Sequence, residues 1–325
     1  MSQHHTHQTI ARCGHAALLA TCLAVLAACG GGGGGGTSPA TSAPSAVPSP
    51  PATAVVVTPS PAAPAGAEAD AAAGHFAQLN AIRSQLGVRA LRWNGSLAGA
   101  AQAHADYLFI NQASGHEEQA GLAGFTGSYI ADRARAFGYG GALVQEAKTG
   151  GQSFTFAQGQ ARMRELLLAP LHRLQLIAPE FDDGGVGMAS AGGPLVTNVG
   201  SSGGRINVSQ RRWMFPFDGQ EGIAPSFMPG SEVGLADGLP QTTGTPLTLS
   251  GFMFSMLVYS DVGLFEAQSG EQIPLIPMAK AGDVSGALIF FPARPLKPLT
   301  RYTWKITASV DKQAASSSAT FTTGA

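Results

Sequence analysis

Residues 155–188 read TFAQGQARMRELLLAPLHRLQLIAPEFDDGGVGM, and the fold is decided there. Thr155 with Gln158 three positions on forms a capping box, and Phe156, Met163, Leu166 and Leu167 recur on one face of the helix it opens. Pro170 is the expected stop, since proline lacks a donor and clashes with the preceding turn. His172 then falls just past a helix end, beside Arg173. After Leu174, Leu176 and Ile177 the chain is expected to turn at Pro179 and at Gly184-Gly185, then to enter a strand at Val186-Gly187-Met188.

The N-terminus reads as an address. Arg12 precedes an apolar run at 16–28 that is short for a bilayer span and ends in small residues, so residues 1–28 are expected to be a signal peptide. Leu26-Ala27-Ala28-Cys29 resembles the lipobox of bacterial lipoproteins, which implies Cys29 as the lipidated first residue of the mature chain. The alternative is an ordinary signal peptide cut near Ala28, leaving Cys29 a bare thiol. Either way Cys13 and Cys22 lie in the removed segment, so no internal disulfide is available and the cores alone hold the fold. If the resemblance holds, several acyl chains make the membrane the first partner, since a second chain turns marginal binding into stable anchoring. Gly30 after Cys29 is compatible with an outer-membrane destination, periplasmic or surface-facing.

Residues 29–67 carry seven consecutive glycines and then Thr, Ser, Pro, Ala and Val. Such a composition cannot bury enough apolar surface to offset chain entropy, so a disordered tether is expected, with a reach of several tens of Å at ~3.1 Å per residue. Val55-Val56-Val57 fits this tether better than a strand because Pro59 and Pro61 follow.

Folded structure is expected from Glu68. Phe76, Leu79, Ile82 and Leu86 form one helical stripe closed by Gly87, and Leu97, Ala101, His104, Ala105 and Leu108 form a second. Ser128 is positioned to cap a third helix through Ile130, Ala134 and Phe137, closed by Gly138. Leu195 to Val199 reads as a strand. His75 is expected to be exposed at the first helix start, and His104 to be structural.

These residues resemble the bacterial branch of the CAP superfamily (cysteine-rich secretory, antigen 5 and pathogenesis-related class 1 proteins, or SCP domains). The resemblance rests on Leu79-Asn80-x-x-Arg83, Leu91-x-Trp93-Asn94-x-x-Leu97, Ser114-Gly115-His116, Gln145-Glu146-Ala147, Pro170-Leu171-His172-Arg173, Pro179-Glu180-Phe181 and Gly185-Val186-Gly187. Leu166 and Ala169 stand where the family usually shows tryptophan and serine, and the neighbours of Glu146 also differ from its usual Gly-Glu-Asn. The resemblance implies an α/β/α sandwich over residues 68–202 with a cleft containing His116, Glu146 and His172. Two imidazoles and a carboxylate could hold a divalent metal such as zinc and leave a place for water. The plain alternative is that these are packing or surface residues. Glu165 is not a convincing fourth cleft acid.

Beyond Ser201-Ser202-Gly203-Gly204 the period changes to two. Tyr302, Trp304, Ile306 and Val310 alternate with polar residues, and 288–291 is a buried run. Residues 203–325 are expected to form an all-β sandwich, so the whole chain is α+β. Leu296 to Tyr302 resembles the tyrosine corner of immunoglobulin-like and fibronectin III-like domains, which gives Tyr302 a structural role. After Arg211-Arg212, the alternating Trp213, Phe215 and Phe217 fit a first strand, an interface with the CAP domain, or less readily an exposed binding surface.

A net charge of -1 with 12% charged residues argues against nucleic acid. Ser114 and Ser153 lie in no nucleophile elbow, and there is no phosphate loop, paired-cysteine site, heptad run or internal repeat. The leading expectation is an exported, non-enzymatic binding module, taking a small ligand, lipid or metal in the cleft and meeting an envelope protein or polysaccharide. Its rivals are a metal-dependent hydrolase of envelope material and a structural adhesin.

Overall fold

A computed structural model describes residues 70–189, 192–203, 212–235, 237–278 and 286–325. The expected leader and tether, with Cys29, and also Arg211, lie outside the described residues.

The first sheet contains β1 (Arg92–Trp93), β2 (Leu143–Thr149), β3 (Asp183–Met188) and β4 (Leu195–Ser201), in the order β1-β3-β4-β2. β1 is parallel to β3, and the other pairs are antiparallel. Helix α2 (Gly95–Ile110) lies directly on β3 and β4. Glycine makes that approach possible: a Cβ at Gly185 would stand 2.2 Å from Ala98 N, and one at Gly187 2.1 Å from Gln102 N. Helix α3 (Ile130–Ala136) packs beside α2. The opposite face of the sheet is covered by α1 (Ala71–Gln85), α4 (Phe156–Leu168) and α5 (Pro170–Ile177), whose Leu79, Met163, Leu167 and Leu176 share a core with Ala147 and Val199. The result is the expected helix/sheet/helix layering.

α1 and α4 touch through two more glycines, since a Cβ at Gly74 would meet Phe156 O and one at Gly159 would meet Ala71 O. The capping box at Thr155 forms, with Gln158 N donating to Thr155 Oγ1 at 3.2 Å and Thr155 N to Gln158 Oε1 at 3.0 Å. Three local expectations need correction. Pro170 does end α4 but also begins α5 as its first residue, where its missing N–H costs nothing, so His172 sits in a helical turn rather than past one. Gly184 and Gly185 lie inside β3 rather than in a turn, because α2 needs a surface without side chains there. The third helix is capped at Tyr129, whose N–H donates to Asp132 Oδ2, and not at Ser128.

Residues from Trp213 onward build two further sheets. One has the order β10 (Leu275–Pro277), β11 (Ala287–Pro292), β7 (Leu247–Ser250), β5 (Trp213–Phe215). The other runs β6 (Gln220–Ile223), β13 (Gln313–Thr323), β12 (Arg301–Val310), β8 (Leu257–Glu266), β9 (Gln272–Ile273). Trp213, Leu249 and Phe290 of the first share a core with Leu264, Trp304 and Phe321 of the second, an arrangement compatible with an immunoglobulin-like sandwich. Tyr302 is fully buried and its hydroxyl accepts from Lys297 N at 2.9 Å, the geometry of a tyrosine corner. β5 serves both of the leading readings of its aromatics, because it pairs with β7 and also presents Phe215 to α5.

His75 is not exposed. It is wholly buried between α1 and α4, where Nδ1 donates to Gly159 O at 3.1 Å. Burial lowers its pKa from 6.5 to about 4, with the bond to Gly159 opposing the shift. The unfolded chain therefore takes up this proton first as pH falls, so stability is full above pH 6.5 and declines down to about 4. Denaturant titrations should show a loss on the order of 3 kcal/mol across that window. His75→Asn, which keeps a donor for Gly159 O, should flatten the slope, and an unchanged slope would refute the assignment.

Candidate functional site

The most concentrated chemistry lies where α2, α3, β2 and the 111–129 loop meet. His104 projects from α2, Arg133 from α3 and Glu146 from β2, all buried; Glu118 is buried on the loop, and His116 is half-exposed beside it. β2 alternates, and it turns Val144 and Glu146 toward α2 and α3 while Ala147 enters the opposite core.

Glu146 is the hub. Its Oε1 accepts from His116 Nδ1 at 3.0 Å and stands 3.5 Å from His104 Nε2. The Arg133 guanidinium donates to both carboxylate oxygens at 2.9 and 3.0 Å and also to His116 O at 3.0 Å. Glu118 is the second carboxylate. It accepts from His104 Nδ1 at 3.0 Å, from Thr126 N at 2.7 Å and from Gly127 N at 3.3 Å, so it closes the neck of the loop. Burial disfavours the Glu146 anion, but the bonds from His116 and Arg133 and the proximity of His104 outweigh it and hold this carboxyl below the usual carboxylate range.

His116 and Glu146 are thus brought together. With Nδ1 directed at Glu146, the ring, 46% exposed, keeps Nε2 for an outside group. Leu122, Phe125 and Tyr129 on the same loop and its exit are exposed apolar groups.

His172 is elsewhere. Its Nδ1 bonds Glu232 Oε1 at 2.8 Å, and the same oxygen accepts His172 N at 2.9 Å. Ala169 offers no side chain to cap α5, so a buried carboxylate from the β region takes the helix's free N–H, where the helix dipole favours an anion. Arg173 completes the joint. Its guanidinium is wholly buried, donates to Leu167 O at 2.8 Å and to Pro246 O at 3.0 Å, and lies 4.1 Å from the Phe215 ring centroid. Burial lowers its pKa to about 9, against the opposing charge of Glu232. Glu180 adds a third tie by accepting Met253 N at 2.7 Å.

The zinc set His116, Glu146 and His172 therefore does not converge. Glu146 already holds Arg133 and His116, and among the described residues no group of three or more His, Cys, Asp or Glu is placed to hold a metal ion. Glu165 is paired with Arg162 on the surface of α4. Glu118, Arg133 and Glu232 were missed by sequence reading. Only Glu118, two residues past His116, lay close to a motif position, and nothing in the spacing marks any of the three as buried.

Residues 76–198 match a family model described as CAP, Cysteine-rich secretory protein family, which supports the CAP superfamily for this region. Among solved structures, an extracellular protein containing a SCP domain from Bacillus anthracis is similar at 21% identity and a TM-score of 0.35, over 40% of this chain and 40% of that one. This chain thus covers less than half the length of that relative. An outer surface protein from Borrelia burgdorferi is similar at 17% identity and a TM-score of 0.32, over 39% of this chain and 88% of that one. No curated protein matches.

A double-mutant cycle tests the network. Glu146→Gln should cost on the order of 3 kcal/mol in denaturant unfolding, because it removes the nearer of the two buried carboxylates facing Arg133 and leaves only Glu118, 3.7 Å from Nε. Combining it with Arg133→Met should cost clearly less than the sum of the single changes. Additive losses would show that the two groups are not coupled.

Proposed function

We propose that this is an exported, lipid-anchored protein of the cell envelope whose CAP region is a non-enzymatic binding module, with His116 as the polar contact for an amphiphilic small ligand or lipid. The observation that carries this is the state of Glu146. A carboxylate gripped by Arg133 on both oxygens and by His116 on one orients an imidazole firmly and spends most of its acceptor capacity on that task. A fixed imidazole on a loop that also exposes Leu122, Phe125 and, at its exit, Tyr129 suits recognition of a molecule with a polar head and an apolar body.

Attachment is supported by the resemblance of Leu26-Ala27-Ala28-Cys29 to a lipobox and by the Gly/Pro/Ala/Ser-rich composition after it, while no helix among the described residues is long and apolar enough to cross a membrane. A histidine oriented by a buried carboxylate is also the beginning of a general base, and this geometry keeps a hydrolase of envelope material as the rival reading.

Titration of the full chain with dihexanoyl phosphatidylglycerol below its micelle concentration separates the two. Saturable binding that weakens about tenfold or more in His116→Ala, with no acyl chain released, is expected. Release of acid by the parent and not by the variant would establish the hydrolase. No binding, or binding indifferent to His116, would refute the proposed contact.

A further inference from the structure

A cavity of about 590 Å³ opens on the other side of the molecule, between α1 and α4 on one wall and β5, β6 and their connecting turn on the other. It lies in the size range of small-molecule sites and at a junction between two folded regions, where such sites concentrate. Its floor is core: Ile82, Leu167, Phe215 and Ile223 all line it and are almost wholly buried. Arg173 stacks on the Phe215 ring, so the joint between the two regions also fixes this wall.

The rim carries charges that the protein does not use on each other. Glu165 is engaged by Arg162 at 2.8 Å. Arg164 donates only to a neutral group, Gln78 Oε1, at 3.1 Å. Glu221, on the facing wall, meets no hydrogen-bond donor among the described residues, and no salt bridge there joins it to Arg164. One cation and one anion thus line a cavity with an apolar floor, neither of them ion-paired among the described residues.

We propose that this cavity binds a small zwitterion with an apolar side chain, an amino acid or a dipeptide. Its carboxylate pairs with Arg164, its ammonium with Glu221, and its side chain fills the space over Phe215 and Ile223. Both rim charges are exposed, so each pair contributes selectivity more than strength, and most of the affinity comes from covering the apolar floor. A ligand with a single charge leaves one rim group with nothing to bind. The site is independent of His116, and the two proposals stand or fall separately.

Isothermal titration of the full chain with L-phenylalanine and L-leucyl-L-phenylalanine tests it, with 3-phenylpropionate and phenethylamine as probes that each lack one charge. At least one zwitterion should bind at a single site, and both single-charge probes should bind about threefold or more weakly. Arg164→Gln and Glu221→Gln should each weaken the zwitterion by a similar factor. Ala161→Phe, placed on the cavity wall, should abolish binding, while His116→Ala should leave it unchanged. Absence of binding by both zwitterions, binding that survives Ala161→Phe, or equal affinity for a singly charged probe would each overturn the proposal. So would sensitivity to Arg164 without sensitivity to Glu221, which would mark an anion site instead.

Discussion

A guanidinium sealed from water must find acceptors, and Arg173 finds them in two regions of the chain at once. One N–H group goes to Leu167 O at the end of α4, another to Pro246 O before β7, and the face of the group covers Phe215. Leaving such a group unpaired while it stays buried costs far more than the pair contributes when formed, so a partial opening that breaks either set of bonds without admitting water is strongly disfavoured. Glu232 on His172 and Glu180 on Met253 N reinforce the same seam, and Leu168, Leu171 and Leu174 pack against Phe227, Ile289 and Phe291 around it. The shape of the cavity on β5 follows from this joint, because its wall is the ring that Arg173 holds.

The same device recurs twice. Arg83, buried on α1, donates to Leu176 O, Ala178 O and Phe181 O and so collects the end of α5 and the entry to β3. Arg133 gathers the carbonyls of His116 and Gly127 together with the Glu146 carboxylate. In a chain whose described residues contain no cysteine, these three arginines tie together carbonyls from loops and from the last turns of helices, where no regular element satisfies them. The candidate site grows out of this structural work. Glu146, held by Arg133, in turn aims His116.

Much of the fold was legible because it rests on periodicity and capping. The stripes of α1 and α2, the box at Thr155 and the alternation of β12 each reflect one-dimensional patterns that map directly onto a buried face. The glycines of β3 misled locally, since a glycine read as turn freedom was in fact room for the backbone of α2. His75 misled for a related reason: its burial depends on Gly74 and Gly159 drawing two helices together, a fact of pairing rather than of either helix.

The site was legible only in part. His116 and Glu146 lie on adjoining elements and do meet. His172 shares their motif resemblance but faces the β region, because Ala169 leaves α5 uncapped and Glu232, sixty residues on, supplies the acceptor. No local pattern carries that information. The most direct test of the account is denaturant unfolding of the full chain and of Arg173→Ala, followed by tryptophan fluorescence and by hydrogen exchange resolved along the chain. The parent should lose protection in α1, α2 and β12 in one cooperative step, and the variant should lose it in β12 at lower denaturant than in α2, in two separated steps. A variant that still unfolds in a single step with the parent's midpoint would contradict the claim that Arg173 joins the two regions.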